Sequence, residues 1–443
     1  MIEYRNIRIA LLGAGSVGAE VASLLLEQGE ELGERVGAGL ELVGVAVRDL
    51  DSPRTADIPR ELLTTDAESL ILGADIVIEL IGGLEPARSL LLTALNSGAD
   101  VITANKALLA THGHELFEVA EQLGAQLYYE AAVAAAIPII RPLRESLAGD
   151  RIERIYGIVN GSTNYILDRM DAEGISAEEA QRVALELGYL EADPTLDVEG
   201  HDAAQKAAIL AGLAFHTAIP LESVHREGIS GVTQEQVSAA RAAGFVVKLL
   251  AVCERLQDPD TGEDGVSVRV HPALIPRDHP LGAVHGGNNA VFLEAAAAGP
   301  LMFYGAGAGG LQTASAVLGD VVSAARRHVI GGPGVAESTH ANLPVLPISK
   351  VTTRYQVTLE VRDEPGVLAR IASEFSEHGV SVEAVQQSVS AAAAGGPEDG
   401  PATATLVIGT HAAREAALSA TVAALEASAV VESVSSVLRV EGT

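Results

Sequence analysis

The feature that most constrains this chain lies within its first thirty residues, where a glycine turn joins an apolar strand to an amphipathic helix. The apolar run Ile7–Leu12 leads into the segment 13–18 (GAGSVG), and residues 16–28 then repeat apolar side chains at helical spacing. In this context the G-x-G-x-x-G pattern predicts the first unit of a parallel α/β sheet that binds a dinucleotide. The alternative is an ordinary strand–turn–helix connection.

Each residue of the turn meets a different requirement of pyrophosphate binding. Gly13 permits the tight turn, Gly15 allows the backbone to approach the phosphates, and Gly18 allows the helix to pack closely on the strand. Backbone N–H groups at the start of the helix, from Ser16 and Val17, can bind the phosphate oxygens.

The residues that follow the second predicted strand bear on the choice of dinucleotide. This strand (residues 41–47) ends without the acidic residue that would bind a ribose 2′-hydroxyl. Arg48 follows it directly, and Asp49 comes next. An arginine here can pair with a 2′-phosphate, which favours NADP, whereas the adjacent Asp49 leaves NAD open. A solvated loop charge is the alternative for Arg48.

The order of predicted elements divides the chain into five segments. Strands and helices alternate through residues 1–133, which predicts a Rossmann-type doubly wound parallel sheet. Residues 134–305 read as an α+β domain, and a helical segment at 306–330 is expected to pack back on the first domain. A Gly- and Pro-rich linker at 331–350 precedes strand–helix–strand repeats at 351–443.

Composition excludes several partners. The chain has 29 Lys plus Arg against 59 Asp plus Glu, a formal charge of −30, which disfavours nucleic acids and anionic membranes. No uninterrupted apolar segment reaches the roughly 18 residues of a transmembrane helix. The single cysteine, Cys253, cannot form an intramolecular disulfide, so we expect a cytoplasmic protein with Cys253 buried.

Polar residues follow the third and fourth main strands, at the edge where doubly wound sheets bind ligands. Gly82 follows one strand, and Thr103, Asn105 and Lys106 follow the next. These residues are predicted to contact the nicotinamide and the substrate. A lysine that simply begins a surface helix is the alternative for Lys106.

A second group of charged residues lies in segment 188–206. Asp202 and Lys206 are four residues apart on a predicted helix, so they share one face. A partly buried lysine held beside a carboxylate can relay a proton to a reacting oxygen. Glu191 and Asp197 precede this helix and can hold a substrate ammonium. A surface salt bridge is the alternative for the pair.

A third segment is the glycine run 305–310, which includes Gly307 and precedes a predicted helix. Its backbone donors predict a second cofactor contact. A hinge between domains is the alternative.

Together these motifs resemble the homoserine dehydrogenase family, in that family's order and across residues 1–330. They are GAGSVG (13–18), VRD (47–49), IELIGG (78–83), TANKALLA (103–110), GIVNGSTNYIL (157–167), GYLEADP (188–194), GHDAAQK (200–206) and GAGAG (305–309).

The resemblance implies reversible NAD(P)-linked interconversion of L-homoserine and L-aspartate 4-semialdehyde, in threonine and methionine biosynthesis. It implies that Lys206 transfers the proton at the substrate hydroxyl and that Lys106 assists at the same oxygen or at the nicotinamide. The residues that it implies for substrate binding are Tyr189, Glu191, Asp197 and Asp202.

The resemblance also implies a sodium or potassium site formed by a glutamate and nearby backbone carbonyls. The matching positions are Glu130, Val133, Ala135 and Ile137. The family has glycine within this stretch, where this chain reads Ala134-Ala135-Ala136. Alanine is penalised there if the backbone needs a positive φ.

The segment DEPGVLA at 363–369 resembles the opening of an ACT domain, a ferredoxin-like βαββαβ sensor of amino acids. The implied effector is threonine. The family resemblance also implies a homo-oligomer, either a dimer or a tetramer, with residues 134–305 forming the catalytic and dimerisation domain.

Two other functions remain as alternatives. A non-catalytic regulatory binder would be expected to lack the Asp202/Lys206 pair or the lysine at 106, and both are present. A dehydrogenase acting on 2-hydroxy acids would need an Arg/Glu/His set in the catalytic region, which the sequence does not contain.

Overall fold

A computed structural model describes residues 5–191, 193–332, 334, 339–389 and 403–442. Residues 333 and 335–338 of the predicted linker lie outside the described residues.

The N-terminal region forms a six-stranded parallel sheet. Its elements are β1 (Ile7–Leu12), α1 (Ser16–Val36), β2 (Leu40–Ala46), β3 (Leu63–Thr64), α2 (Ala67–Ile71), β4 (Ile76–Glu79), α3 (Ala87–Asn96), β5 (Asp100–Thr103), α4 (Lys106–Leu123), β6 (Leu127–Tyr128) and α5 (Ala131–Ala134). The strand order β3-β2-β1-β4-β5-β6 confirms the Rossmann-type sheet and places its switch point between β1 and β4. The sequence did not predict β3, because two residues carry no periodic signal.

Strand β1 is apolar and buried from Ile9 to Leu12 because both faces of this sheet are covered there. Ile9 and Leu11 pack into the cluster beneath α1, whereas Ala10 and Leu12 pack into the cluster on the opposite face. The loops beyond the ends of β1, β4 and β5 therefore start from a rigid platform.

The central region builds a second, mixed sheet. Its elements are β7 (Ile152–Ile158), α6 (Gly161–Glu173), α7 (Ala177–Glu186), α8 (Thr195–Val198), α9 (His201–Phe215), β8 (His225–Arg226), α10 (Gln234–Ala242), β9 (Phe245–Gln257), β10 (Asp264–Pro276), β11 (Asn288–Ala295), β12 (Gly299–Ala306) and α11 (Gly310–Ile330). Helix α9 packs on the β9–β10 hairpin, and α11 lies along α1 of the first sheet.

The C-terminal region has the βαββαβ arrangement expected of a ferredoxin-like domain. Its elements are β13 (Thr352–Arg362), α12 (Val367–Glu377), β14 (Val382–Val389), β15 (Thr403–Thr410), β16 (Ala413–Arg414), α13 (Glu415–Glu426) and β17 (Val431–Val440). Its strand order is β17-β13-β15-β14, with antiparallel neighbours.

The central and C-terminal regions share one continuous sheet, which the sequence did not predict. Strand β17 pairs in parallel with β10, aligning Arg439 with Ala273 and Val440 with Leu274. The backbone N–H of Glu441 then donates to the carbonyl of Leu274 at 3.0 Å. The last strand of the chain is therefore fixed directly to the central sheet.

Candidate active site

The glycine turn after β1 has the geometry of a phosphate-binding loop. Gly13 has a φ of +100°, and a Cβ there would lie 2.7 Å from the carbonyl oxygen of Leu80. A Cβ at Gly18 would lie 2.1 Å from the carbonyl of Gly13, whereas the space around Gly15 is open to 4 Å. Helix α1 begins at Ser16 without a side-chain cap, so its first N–H groups can bind an anion.

The loop after β2 presents an arginine to solvent. Arg48 is exposed, and it has no hydrogen-bond or ion-pair partner among the described residues. The carboxylate of Asp49 accepts from the N–H of Asp51 at 2.9 Å and from the hydroxyl of Ser52 at 3.0 Å. These bonds lower the pKa of Asp49 and engage its carboxylate within its own loop.

A buried carboxylate that was not predicted as a site residue organises the loop after β4. Glu79 is fully buried and accepts from the hydroxyl of Thr103 at 2.6 Å. It also accepts from the N–H groups of Ile81 at 2.8 Å and Gly82 at 3.0 Å. The available signal was an acidic residue that ends an apolar strand just before two glycines.

Asn105 connects that loop to the start of α4. Its Nδ2 donates to the carbonyl of Gly83 at 2.6 Å, and its Oδ1 caps α4 by accepting from the N–H of Leu108 at 3.1 Å. The side chains of Thr103 and Asn105 are thus bonded within the protein, and Lys106 becomes the first residue of α4.

The structure brings together the two lysines that the sequence singled out. Lys106 forms an ion pair with one oxygen of Asp202, and Lys206 lies 2.8 Å from the other. The ammonium of Lys206 also donates to the carbonyl of Val159 at 2.6 Å. Lys106 begins α4, which belongs to the N-terminal region, whereas Asp202 and Lys206 lie on α9 of the central region. The cluster therefore spans the cleft between the two regions.

Asn160 joins the two aspartates of this cluster and was also missed. Its Nδ2 donates to Asp197 at 2.7 Å and to Asp202 at 3.0 Å, and its Oδ1 caps α6 through the N–H of Thr163 at 2.9 Å. An asparagine between a strand and a helix is a typical cap, so the sequence offered a signal for its conformation only.

Burial and pairing act in opposite directions on these groups. Burial lowers the pKa of Lys206, although the neighbouring Asp202 opposes that shift. Burial would raise the pKa of Asp202, but the two lysines outweigh it and the pKa is lowered. The pKa of Asp197 is raised, first by burial and then by the charge of Asp202.

The segment before α8 carries two further predicted substrate contacts. Tyr189 stacks on Tyr165 with ring centroids 4.6 Å apart, and a Cβ on Gly287 would lie 2.3 Å from its ring. Glu191 is exposed and has no polar partner among the described residues. The cluster therefore unites Lys106, Asp197, Asp202 and Lys206, while Glu191 remains at the surface.

The glycine run before α11 lies beside the dinucleotide turn. A Cβ at Gly310 would lie 3.0 Å from the carbonyl of Ser16, and one at Gly307 would lie 2.2 Å from Oδ1 of Asn289. Only glycine permits this close approach.

The candidate cation positions have a specific local geometry. The carboxylate of Glu130 accepts from the N–H groups of Ile139 at 2.6 Å, Ile140 at 2.8 Å and Arg141 at 2.9 Å. Its oxygens are therefore occupied by donors. Ala135 adopts a φ of +51°, which is the strained conformation considered for this alanine stretch.

No group of three or more His, Cys, Asp or Glu side chains among the described residues could hold a metal ion. No helix there combines the length and the apolar character needed to cross a membrane.

Cys253 is buried, as the sequence predicted, and burial raises its pKa to about 12. A thiol in this state is a packing residue and not a nucleophile.

Family profiles match three parts of the chain. Residues 13–130 match the homoserine dehydrogenase NAD-binding domain, and residues 138–322 match homoserine dehydrogenase. Residues 355–429 match the ACT domain, as the motif at 363–369 predicted.

Curated relatives match over almost the whole chain. The homoserine dehydrogenase of Corynebacterium glutamicum is 51% identical over 437 residues, covering 98% of this chain and 96% of the relative. That of Mycobacterium tuberculosis strain H37Rv is 52% identical over 443 residues, covering 100% and 99%.

Solved structures agree with this assignment. A homoserine dehydrogenase from Thiobacillus denitrificans superposes with a TM-score of 0.89 at 37% identity, covering 99% of each chain. A hyperthermophilic archaeal homoserine dehydrogenase in complex with NADPH gives a TM-score of 0.59 at 29% identity, covering 72% of this chain and 97% of that one. This chain belongs to the homoserine dehydrogenase family of oxidoreductases, with a nicotinamide-cofactor-binding domain and a C-terminal ACT domain.

Proposed function

We propose that the cluster of Lys106, Asp202 and Lys206 carries out the reversible, NAD(P)-linked interconversion of L-homoserine and L-aspartate 4-semialdehyde. The observation that carries this proposal is the buried ammonium of Lys206, held between Asp202 and the carbonyl of Val159. A bound nicotinamide supplies the hydride donor or acceptor.

Lys206 acts as the proton-transfer residue. Two of the three N–H groups of its ammonium are engaged, so the third is available for the substrate oxygen. Burial lowers its pKa, which favours loss of that proton to the oxygen of the aldehyde as hydride arrives. In the oxidation direction the neutral amine accepts the proton from the hydroxyl of homoserine.

Lys106 assists at the same oxygen or at the nicotinamide end. It is 41% exposed and faces the cleft through its ion pair with Asp202. Asp197 and Asp202 are proposed to bind and orient the amino-acid end, because a substrate ammonium would stabilise two neighbouring carboxylates. Tyr189 and Glu191 are proposed as outer substrate contacts on the segment before α8.

NADP is the proposed cofactor, with Gly13, Gly15 and the start of α1 holding its pyrophosphate. Unpartnered Arg48 and the internally bonded carboxylate of Asp49 fit a 2′-phosphate better than a ribose diol. The archaeal relative was solved in complex with NADPH.

The Arg48→Gln variant tests this preference. We expect the KM for NADPH to rise about tenfold while the KM for NADH changes little, because only NADPH carries the phosphate. Arg54→Gln, which removes a neighbouring arginine bonded to backbone carbonyls, is the control. Equal changes for both cofactors would contradict the proposal.

A sodium or potassium ion, if held near α5, is proposed to bind backbone carbonyls of Val133, Ala135 and Ile137. The carboxylate of Glu130 does not fit this purpose, because backbone N–H groups already occupy its oxygens. No step of the reaction is assigned to the ion.

We also propose that the ACT domain makes the enzyme sensitive to threonine and that the chain works as a dimer or tetramer. The continuous β10–β17 sheet supports a mechanical connection between the two regions. An allosteric effect requires two states with different affinities for the effector.

Oxidation of NADPH by the purified chain with aspartate 4-semialdehyde, repeated with NADH and with threonine, tests the whole proposal. We expect turnover, faster with NADPH, and a lower rate with threonine. Cofactor binding without turnover would favour the regulatory binder.

A further inference from the structure

Asn289 on β11 has a side-chain amide without a partner. The residue is fully buried, and neither its Oδ1 nor its Nδ2 has a hydrogen bond within the described residues. Leaving both ends of an amide unpaired in a protein interior is costly, and native structures rarely retain such a group without a reason.

The amide lies between the proposed cofactor loop and the reaction cluster. A Cβ on Gly307 would approach its Oδ1 to 2.2 Å, and a Cβ on Gly161 would approach the same atom to 3.5 Å. Gly161 directly follows Asn160, which bonds Asp197 and Asp202. Asn289 is therefore next to the place where cofactor and substrate must meet.

The loop before Asn289 is fixed by buried groups that the reaction does not use. Asn164 donates to the carbonyls of Gly286 at 2.8 Å and Asn288 at 3.2 Å. Lys248 is fully buried and donates to Asn164 at 2.9 Å and to the carbonyl of Val284 at 2.6 Å. These bonds restrict the backbone movements by which the Asn289 amide could find a protein partner.

We propose that Asn289 is a cofactor-binding residue whose amide pairs with the carboxamide of the nicotinamide ring. A carboxamide offers one donor and one acceptor side by side, which matches the two unpartnered atoms of Asn289. The carboxamide is attached to the carbon next to the one that exchanges hydride, so it must lie close to the Lys206 cluster. The inference rests on the proposed function in one respect, namely that hydride transfer takes place at the Lys206 cluster.

Gly307 covers the amide in this structure, so pairing requires the glycine run to move aside when cofactor binds. Glycines at 305, 307, 309 and 310 give this segment the backbone freedom for such a shift.

The test is the Kd of NADPH, measured by fluorescence titration of the full chain without substrate. Asn289→Leu should raise this Kd about tenfold or more, because the isosteric side chain cannot pair with the carboxamide. Its Tm should stay equal or rise, because an unpaired polar group is removed. Asn288→Leu, at the adjacent half-buried position, is the matched control and should leave the Kd unchanged.

An unchanged Kd in Asn289→Leu would overturn the proposal. An accompanying rise in KM for the semialdehyde would then show that the amide binds the substrate. No change in either Kd or KM would mean that the amide pairs only with an internal water. Should Asn289→Leu not fold, Asn289→Asp keeps the shape but removes the donor, and the same Kd decides. If the wild-type chain bound NADPH without turnover, the proposed reaction would be contradicted, whereas the assignment of Asn289 to the cofactor would not.

Discussion

Two buried charged clusters in this molecule have opposite stoichiometry. At the reaction centre both lysines form their ion pairs with one carboxylate, that of Asp202, while the second carboxylate, that of Asp197, is bonded to Asn160. At the junction of the central sheet with the ACT domain, two arginines each lie between two glutamates. Arg269 donates to Glu254 at 2.7 Å and to Glu441 at 3.0 Å.

The second junction arginine repeats this arrangement between the same two regions. Arg439 of β17 donates to Glu227 at 2.9 Å and to Glu415 at 2.6 Å. Glu227 belongs to the central region and Glu415 to α13 of the ACT domain. Arg439 therefore bonds the ACT domain to the central region.

The ratio of charges and the chemistry of each cation together decide whether a proton can be transferred. Burial disfavours the charged form of both Arg269 and Lys206, but the two glutamates around Arg269 raise its pKa overall. Beside Lys206, the carboxylate shared with Lys106 does not compensate for burial, so the pKa of Lys206 is lowered. The guanidinium of Arg269 does not lose its proton and is held in place by two carboxylates, whereas the ammonium of Lys206 has a proton that can be transferred.

Removing the transferable proton should have the largest effect. We expect Lys206→Ala to lower kcat by about 10²–10⁴-fold, because no other group is proposed to exchange the proton. Steady-state rates measure this, with circular dichroism and Tm to confirm folding. Turnover near that of wild type would refute the assignment.

Breaking the junction should affect stability and not chemistry. Arg269→Met leaves buried Glu441 without its arginine and Glu254 with Arg154 alone, and we expect it to lower the free energy of unfolding by about 3–5 kcal/mol. Urea denaturation at fixed chain concentration measures the change.

Arg362→Met is the matched control, because it removes an exposed pair with Glu432 within the ACT domain. It should cost less than about 1 kcal/mol. If Arg269→Met lost as much kcat per folded molecule as Lys206→Ala, the division between the two clusters would be wrong.

Asp202→Asn should sharpen the comparison with a shift in pH dependence. Without the carboxylate, burial and the charge of Lys106 lower the pKa of Lys206 further. Reduction of the aldehyde needs protonated Lys206, so its rate should begin to fall with rising pH about 1–3 pH units earlier. The pH profile of kcat measures this shift.

Asp197→Asn serves as the control for that profile. Asp197 raises the pKa of Lys206 less than Asp202 does. We therefore expect Asp197→Asn to displace the pH profile less than Asp202→Asn. Equal displacements in the two variants would contradict the view that Asp202 sets the proton affinity of Lys206.

The sequence predicted the elements whose signal is local. The turn at Gly13–Gly18 lies between a strand and a helix, as its pattern required, and the βαββαβ order of the C-terminal region follows from the repeats. Asp202 and Lys206 share a face because they are one helical turn apart.

Residues whose role depends on partners in other elements were missed. Glu79 bonds Thr103 of β5 and Asn160 bonds Asp197 of α8, whereas Asn289 is notable because its buried amide has no partner among the described residues. Burial and pairing across a fold are not periodic in sequence, so the local signals at Glu79 and Asn160 did not reveal these distant partners.

The sequence by itself determined the family, the dinucleotide turn, the helical lysine–carboxylate pair and the ACT domain, because each depends on residues close together in the chain. Only the tertiary structure decided that Lys106 shares its carboxylate with Lys206, that Glu191 stays exposed, and that β17 extends the central sheet. These outcomes depend on distances between separate elements, which follow from packing of the whole chain.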